Sequence, residues 1–268
     1  MTTIIRIEDP QDLRISAYRN VRDRDLARDN DTFIAEGKVV LSVLFAARRF
    51  PPLSALVLEN RLDGVSDVLS TAPSDMPVYV ASQSVMDAIA GFHIHRGILA
   101  LAQRTPPPSP AALLEKLPAD ALVVVLVGIA NHDNVGAIFR NAAAFEADAV
   151  LLDQTCCDPL YRKAIRVSVG AALKVPFARG GSAGELADSL AQHGFNAVAL
   201  SPSGAESLSA VTPSGRTAIL LGTEGEGLPP ALMQRLRTVR IPMSQSFDSL
   251  NVATASAIAL HRLGRFRD

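Results

Sequence analysis

A chain of 268 residues, 48% of them hydrophobic, is long enough for one large domain or two modest ones and too apolar to stay disordered. Only 5% is aromatic, while seventeen glycines and seventeen prolines supply many short connections, which favours an α/β protein over a β-sandwich. A formal charge of -1 excludes a chain that coats nucleic acid along its whole surface and leaves room for a local basic face.

The opening stretch MTTIIRIEDPQDLR pairs no basic segment with an apolar one. No apolar run approaches the ~18 residues that span a bilayer, so a cytoplasmic protein without a membrane segment is expected. Arg14, Arg19, Arg22, Arg24 and Arg28 crowd the next region, interleaved with Asp12, Asp23, Asp25 and Asp29. Offsetting charges on a solvated helical face explain this pattern at least as well as an RNA-facing patch.

Short apolar runs then alternate with helical patterns: FIAEG, KVVLSVLFAARRF, LSALVLEN, PVYVAS and GILALAQR. They predict a small α/β sandwich over residues 1–103. QRTPPPSPAALLEKLP, with a triproline and Pro110, favours extended polyproline geometry and predicts a linker over 104–117.

From 118 to 268 the runs ALVVVLVG, DAVLLD, NAVALS, TAILLG and TVRIPM are apolar without alternation and separated by helix-like segments. Strands covered by helices on both faces read this way, so a parallel sheet is expected. Cys156 and Cys157 are adjacent. They can form neither a disulfide framework nor the spaced pair of a zinc knuckle, and no metal is expected.

Ligands of open parallel sheets sit beyond the carboxyl ends of the strands. TAILLG ends there in TEGEGLP, which leads into the helix-like PALMQRLR. The loop lacks the lysine of a Walker sequence and the order of a dinucleotide fingerprint. Glu224 and Glu226 would also oppose a pyrophosphate, so a ligand without phosphate, or with a positive charge, is favoured.

In VGIANHDNVGAIFRNAAAFEADAVLL a strand gives way to a helix predicted to begin near Val135 or Gly136, with Asn134 as its cap. Arg140 lies in a mostly apolar run, where a guanidinium needs a partner. That partner is either a carboxylate such as Glu224 or a substrate phosphate or oxyanion. In IPMSQSFDSLNVATASAIALHRL a strand leads through a polar loop to a helix rich in small residues, capped by Ser249 or Asn251.

NVGAIFR, LLGTEGEGL and IPMSQSFDSLNV, in this order, resemble the SpoU (TrmH-type) branch of the SPOUT methyltransferases over residues 118 to 268. AIRVSVGAALKVPF is similar to the family's intermediate segment, and FIAEGKVVLSVL with GFHIHRGILAL to its accessory substrate-binding domain. The resemblance implies a parallel-sheet domain with a deep trefoil knot, a homodimer, and transfer of the S-adenosylmethionine methyl to a ribose 2′-hydroxyl in ribosomal or transfer RNA.

It also implies that Leu221, Gly222, Ile241, Met243 and Leu250 hold the cofactor, and that Asn134, Arg140, Glu224, Ser249 and Asn251 are catalytic and substrate positions. In this assignment Arg140 faces the developing oxyanion or the adjacent phosphate, and Glu224 orients Arg140. Ser249 and Asn251 order the loop and the substrate. Arg162, Lys163 and Arg166 are candidate RNA contacts. The competing readings are a SPOUT methyltransferase acting on a base and a non-catalytic RNA-binding protein. Asn141 and Thr254 depart from the family pattern.

Overall fold

The computed structural model describes residues 3–19, 31–90, 97–212, 215–244, 246 and 248–264. Arg22, Arg24 and Arg28 of the charged N-terminal region, with their aspartate neighbours, lie outside the described residues, as do residues 91–96 of the GFHIHRGILAL stretch. The chain forms two compact units, residues 1–105 with 160–174, and residues 106–159 with 175–268.

The first unit is built on strands β1 (Ile4–Ile7), β2 (Thr32–Glu36), β3 (Pro52–Leu58), β4 (Val78–Ala81) and β5 (Ile98–Gln103). Helices α1 (Lys38–Ala47), α2 (Leu62–Leu69) and α3 (Gln83–Ala90) connect them. The sheet order is β1-β4-β3-β5-β2, with β5 antiparallel to both neighbours and the other pairs parallel. Every residue of β2 and β4 is buried, as expected of strands covered on both faces. Tyr18 is fully buried within this core and shares a 2.7 Å hydrogen bond with the Ser54 hydroxyl.

The segment 160–174 belongs to this unit although it lies between strands of the other. Its helices are α6 (Arg162–Val167) and α7 (Ala171–Lys174); α4 (Pro110–Glu115) and α5 (His132–Ala144) belong to the second unit.

In the second unit, α4 (Pro110–Glu115) occupies part of the stretch read as a linker. Ser109 accepts from the Ala112 N–H as N-cap, Pro110 stands at the first turn, and Leu113 and Leu114 are buried against Val123 and Val125. Proline is compatible with a helix start because its missing N–H would have no partner there. Proline density therefore concealed a packed helix.

Strands β6 (Leu122–Leu126), β7 (Ala149–Leu152), β8 (Phe177–Arg179), β9 (Asn196–Leu200), β10 (Glu206–Ser207), β11 (Thr217–Leu221) and β12 (Arg237–Arg240) form a parallel sheet of order β10-β12-β9-β11-β6-β7-β8. Their helices are α5 (His132–Ala144), α8 (Ala183–Gln192), α9 (Pro230–Met233) and α10 (Val252–Leu263). The helix expected over PALMQRLR is the single turn α9, because Arg237 already starts β12. The central strands β6 and β11 are buried throughout.

The chain goes from β6 to β7 and β8 on one side, then returns to β9 on the other, and β11 fills the gap between β6 and β9. The loops after β9, β11 and β12 therefore meet at one carboxyl edge, where parallel sheets bind ligands.

Candidate active site

Those three loops enclose a cavity of about 290 Å³. Leu221, Gly222, Ile241, Met243 and Leu250, the residues assigned to the cofactor, all line it, together with Glu224, Ser249 and Asn251. Gly222 is fixed by close approach: a Cβ there would stand 2.3 Å from the Gly227 carbonyl carbon, closer than atoms can pack. The loop turns tightly because Thr223 and Gly227 exchange backbone hydrogen bonds of 3.3 and 3.2 Å.

Three polar side chains close on one another at the cavity. The Asn134 amide donates to Glu224 Oε1 at 2.7 Å, the Asn251 amide donates to the same oxygen at 2.8 Å, and Asn251 also donates to Asn134 Oδ1 at 3.0 Å. Asn251 Oδ1 in turn accepts from the backbone N–H of Ala253 and Thr254, capping α10. One side chain thus couples the start of α10 to the glycine loop. Among the described residues nothing donates to Glu224 Oε2.

The expected start of α5 is corrected. The helix begins at His132, and Asn131 is its cap, accepting from the Asp133 N–H at 2.9 Å. Asn134 therefore lies inside the first turn, buried, with its amide free for Glu224 rather than spent on capping.

The expected pairing of Glu224 with Arg140 is also corrected. Six residues along a helix at 3.6 per turn is about 600°, which leaves Arg140 some 120° around from Asn134. Arg140 is exposed, bonds to no described residue, and is absent from the cavity wall. Its apolar neighbours Ile138 and Phe139 turn inward instead. Asn141 is half-buried and donates to the Ala253 carbonyl at 2.8 Å and to Ser256 Oγ at 2.9 Å, tying α5 to α10.

Sequence reasoning missed Leu200, Ser201 and Pro202, which form another part of the wall. Leu200 ends NAVAL and Ser201 and Pro202 follow it directly, so the rule that placed the glycine loop at a strand end applies equally to them. The two cysteines stay outside the chemistry. Burial pushes the Cys156 thiol up to about 12 and the Cys157 thiol up to about 11, so neither is a thiolate near neutral pH. Cys156 instead donates to the Leu126 carbonyl and accepts from the Ile129 N–H.

Residues 121–261 match the model of the SpoU rRNA methylase family. The chain belongs to the SpoU rRNA methylase family. A tRNA/rRNA methyltransferase of Mycobacterium bovis is 41% identical, with 96% of this chain and 90% of the relative covered. The crystal structure of an RNA 2′-O ribose methyltransferase superposes with a TM-score of 0.80 at 27% identity, covering 97% of this chain and 98% of the other. The AdoMet-bound rRNA methyltransferase of Sinorhizobium meliloti has the same fold, with a TM-score of 0.80, 21% identity and 97% of each chain covered. SpoU membership makes this chain an RNA methyltransferase. Among the described residues no helix is long and apolar enough to cross a membrane.

Proposed function

We propose that the chain is a cytoplasmic, homodimeric methyltransferase that uses S-adenosylmethionine to methylate a ribose 2′-hydroxyl in ribosomal or transfer RNA. The observation that carries this reading is the cavity itself. Its wall joins the apolar Leu200, Leu221, Ile241, Met243 and Leu250 to the carboxylate of Glu224, without a lysine or arginine. Such a wall suits a ligand that has an apolar body, a positive charge and no phosphate. When bound, S-adenosylmethionine supplies an electrophilic methyl group.

Leu221, Gly222, Ile241, Met243 and Leu250 hold the methyl donor in this reading. Asn134 and Asn251 fix Glu224 Oε1, which keeps Oε2 available to accept from a substrate hydroxyl. Ser249 lines the same wall and orders the loop that carries Asn251. Arg140, exposed and apart from the cavity wall, is assigned to the RNA, where a permanently charged guanidinium stabilises a 2′-oxyanion or the adjacent phosphate. Exposed Ile258 on α10 supplies apolar surface for the dimer. The insertion of β11 between β6 and β9, and the return of the chain to β12 beyond β9, support a knotted C-terminal segment.

The test is mass spectrometry of nucleosides from ribosomal and transfer RNA incubated with the protein and S-adenosylmethionine. A 2′-O-methylnucleoside is expected. A base-methylated nucleoside would reject the ribose assignment, and no methyl transfer together with no heat of S-adenosylmethionine binding would reject catalysis.

A further inference from the structure

The first unit carries a second cavity of about 530 Å³, lined by Gly37, Lys38, Arg61 and Arg166 among others. The formal charge of -1 gives the chain no general attraction for nucleic acid, so the useful cations are those without a partner. Four of the described cations of this unit are neutralised locally. Arg6 pairs with Glu59 at 2.7 Å, Lys38 with Asp67 at 2.9 Å, Arg14 with Asp12, and Arg162 with the buried Glu36 at 2.8 Å.

Two guanidinium groups at the cavity are left over. Arg166 comes no nearer than 4.0 Å to Glu36, whose carboxylate is already held by Arg162. Arg61 is exposed and makes no hydrogen bond or ion pair with a described residue. Arg162, Lys163 and Arg166 are alike as sequence; the fold separates Arg162, spent on Glu36, from Arg166, open to the cavity.

The cavity floor strengthens the same sign. Gly37 caps the ten-residue α1 with φ 103° and contributes no side-chain acceptor, and Lys38, Val39 and Val40, the first residues of that helix, line the cavity. Backbone N–H groups at a helix start carry partial positive charge and have no acceptor within the helix. Two planar guanidinium forks over such a floor match the oxygens of a phosphate.

We propose that this cavity is a phosphate-binding subsite that grips the RNA backbone, with Arg61 and Arg166 as its charged contacts. It rests on the RNA methyltransferase reading above for its ligand, and lies in the other unit from the proposed catalytic cavity. A backbone contact of this kind positions the RNA and carries no sequence information.

Two measurements on the full chain test it, each with wild type, Arg61→Ala/Arg166→Ala and, as a control for lost charge, Arg6→Ala. In titrations with inorganic phosphate followed by amide NMR, the Lys38, Val39 and Val40 resonances should shift and saturate in wild type and Arg6→Ala and stay still in the double variant. With one ribosomal RNA transcript as probe, the plot of log affinity against log salt should lose a slope of about 1 in the double variant, while S-adenosylmethionine affinity holds.

Both variants alter exposed side chains, and unchanged melting of the double variant confirms its fold. Amides that ignore phosphate in wild type overturn the subsite. Amides that respond while the RNA salt slope is the same in all three proteins overturn its assignment to RNA, leaving the methyltransferase reading intact. Wild type that binds no RNA transcript at any salt overturns both.

Discussion

Glu36 and Glu224 are both carboxylates held by groups on a neighbouring helix, and their surroundings give them opposite roles. Glu36 ends a wholly buried strand and faces Arg162 at 2.8 Å, with side-chain exposures of only 10% and 19%. Its charge is cancelled where it stands. Glu224 is exposed at the turn of a glycine loop and is gripped through one oxygen by two neutral amides. Amides orient a carboxylate without neutralising it. A charge cancelled inside the protein serves the fold; one that is oriented and left uncancelled at a cavity is available to a ligand.

The largest effect that separates the two is expected at Glu36. Glu36→Ala leaves Arg162 mostly buried without its carboxylate, which costs about 3–5 kcal/mol when one partner of a buried pair is removed. Urea unfolding should show that loss; a midpoint within error of wild type would make Glu36 as dispensable to the fold as a surface acid.

Glu224→Gln is expected to leave the urea midpoint nearly unmoved and to slow methyl transfer roughly 100-fold, the scale of a lost positioning contact. Arg140→Ala should lower turnover on a similar scale with S-adenosylmethionine affinity unchanged. If Glu224→Gln instead unfolds the protein like Glu36→Ala, the contrast disappears.

Asn251 belongs to both roles and divides them. Asn251→Ala removes the α10 cap and should cost about 1 kcal/mol. Asn251→Asp restores a capping acceptor yet sets a second carboxylate beside Glu224, so stability should recover while activity does not. Recovery of both in single-turnover and unfolding measurements would show that Asn251 acts as a cap alone.

The smallest effect is expected at Asp12, a half-buried carboxylate. The side-chain hydrogen bond from Arg14, followed by the Arg14 backbone N–H, holds its carboxyl down to about 2. Because the folded pKa is depressed, the stabilisation is present above the ordinary carboxylate range and is lost as pH falls from about 4 to about 2. An NMR titration of Asp12 with a midpoint near 4 would show that the Arg14 contact is not kept in solution.

Much of this is legible in the sequence. Unalternating apolar runs such as LVVVL and TAILL specify strands buried on both faces, and hence a parallel sheet with helices on either side. Strand-end logic then placed LLGTEGEGL at the ligand edge, and Leu221, Gly222 and Glu224 do line the cavity. The misreadings share a cause. Asn131 and Asn134 are both good caps as sequence, and only main-chain geometry decides that Asn131 accepts from Asp133. Pro110 looked like a linker until Leu113 and Leu114 found a core to bury in.

By itself, then, the sequence determined the buried strands, the sheet type and the family, because periodicity and motif spacing are local properties of the chain. Only the tertiary structure decided which charges cancel. Glu224 meets Asn134 across 90 residues and Glu36 meets Arg162 across 126, and no local pattern encodes such distances. Partner choice among arginines depends on which face of a helix is buried and which acid is already taken, and that is settled only when each unit has folded by itself.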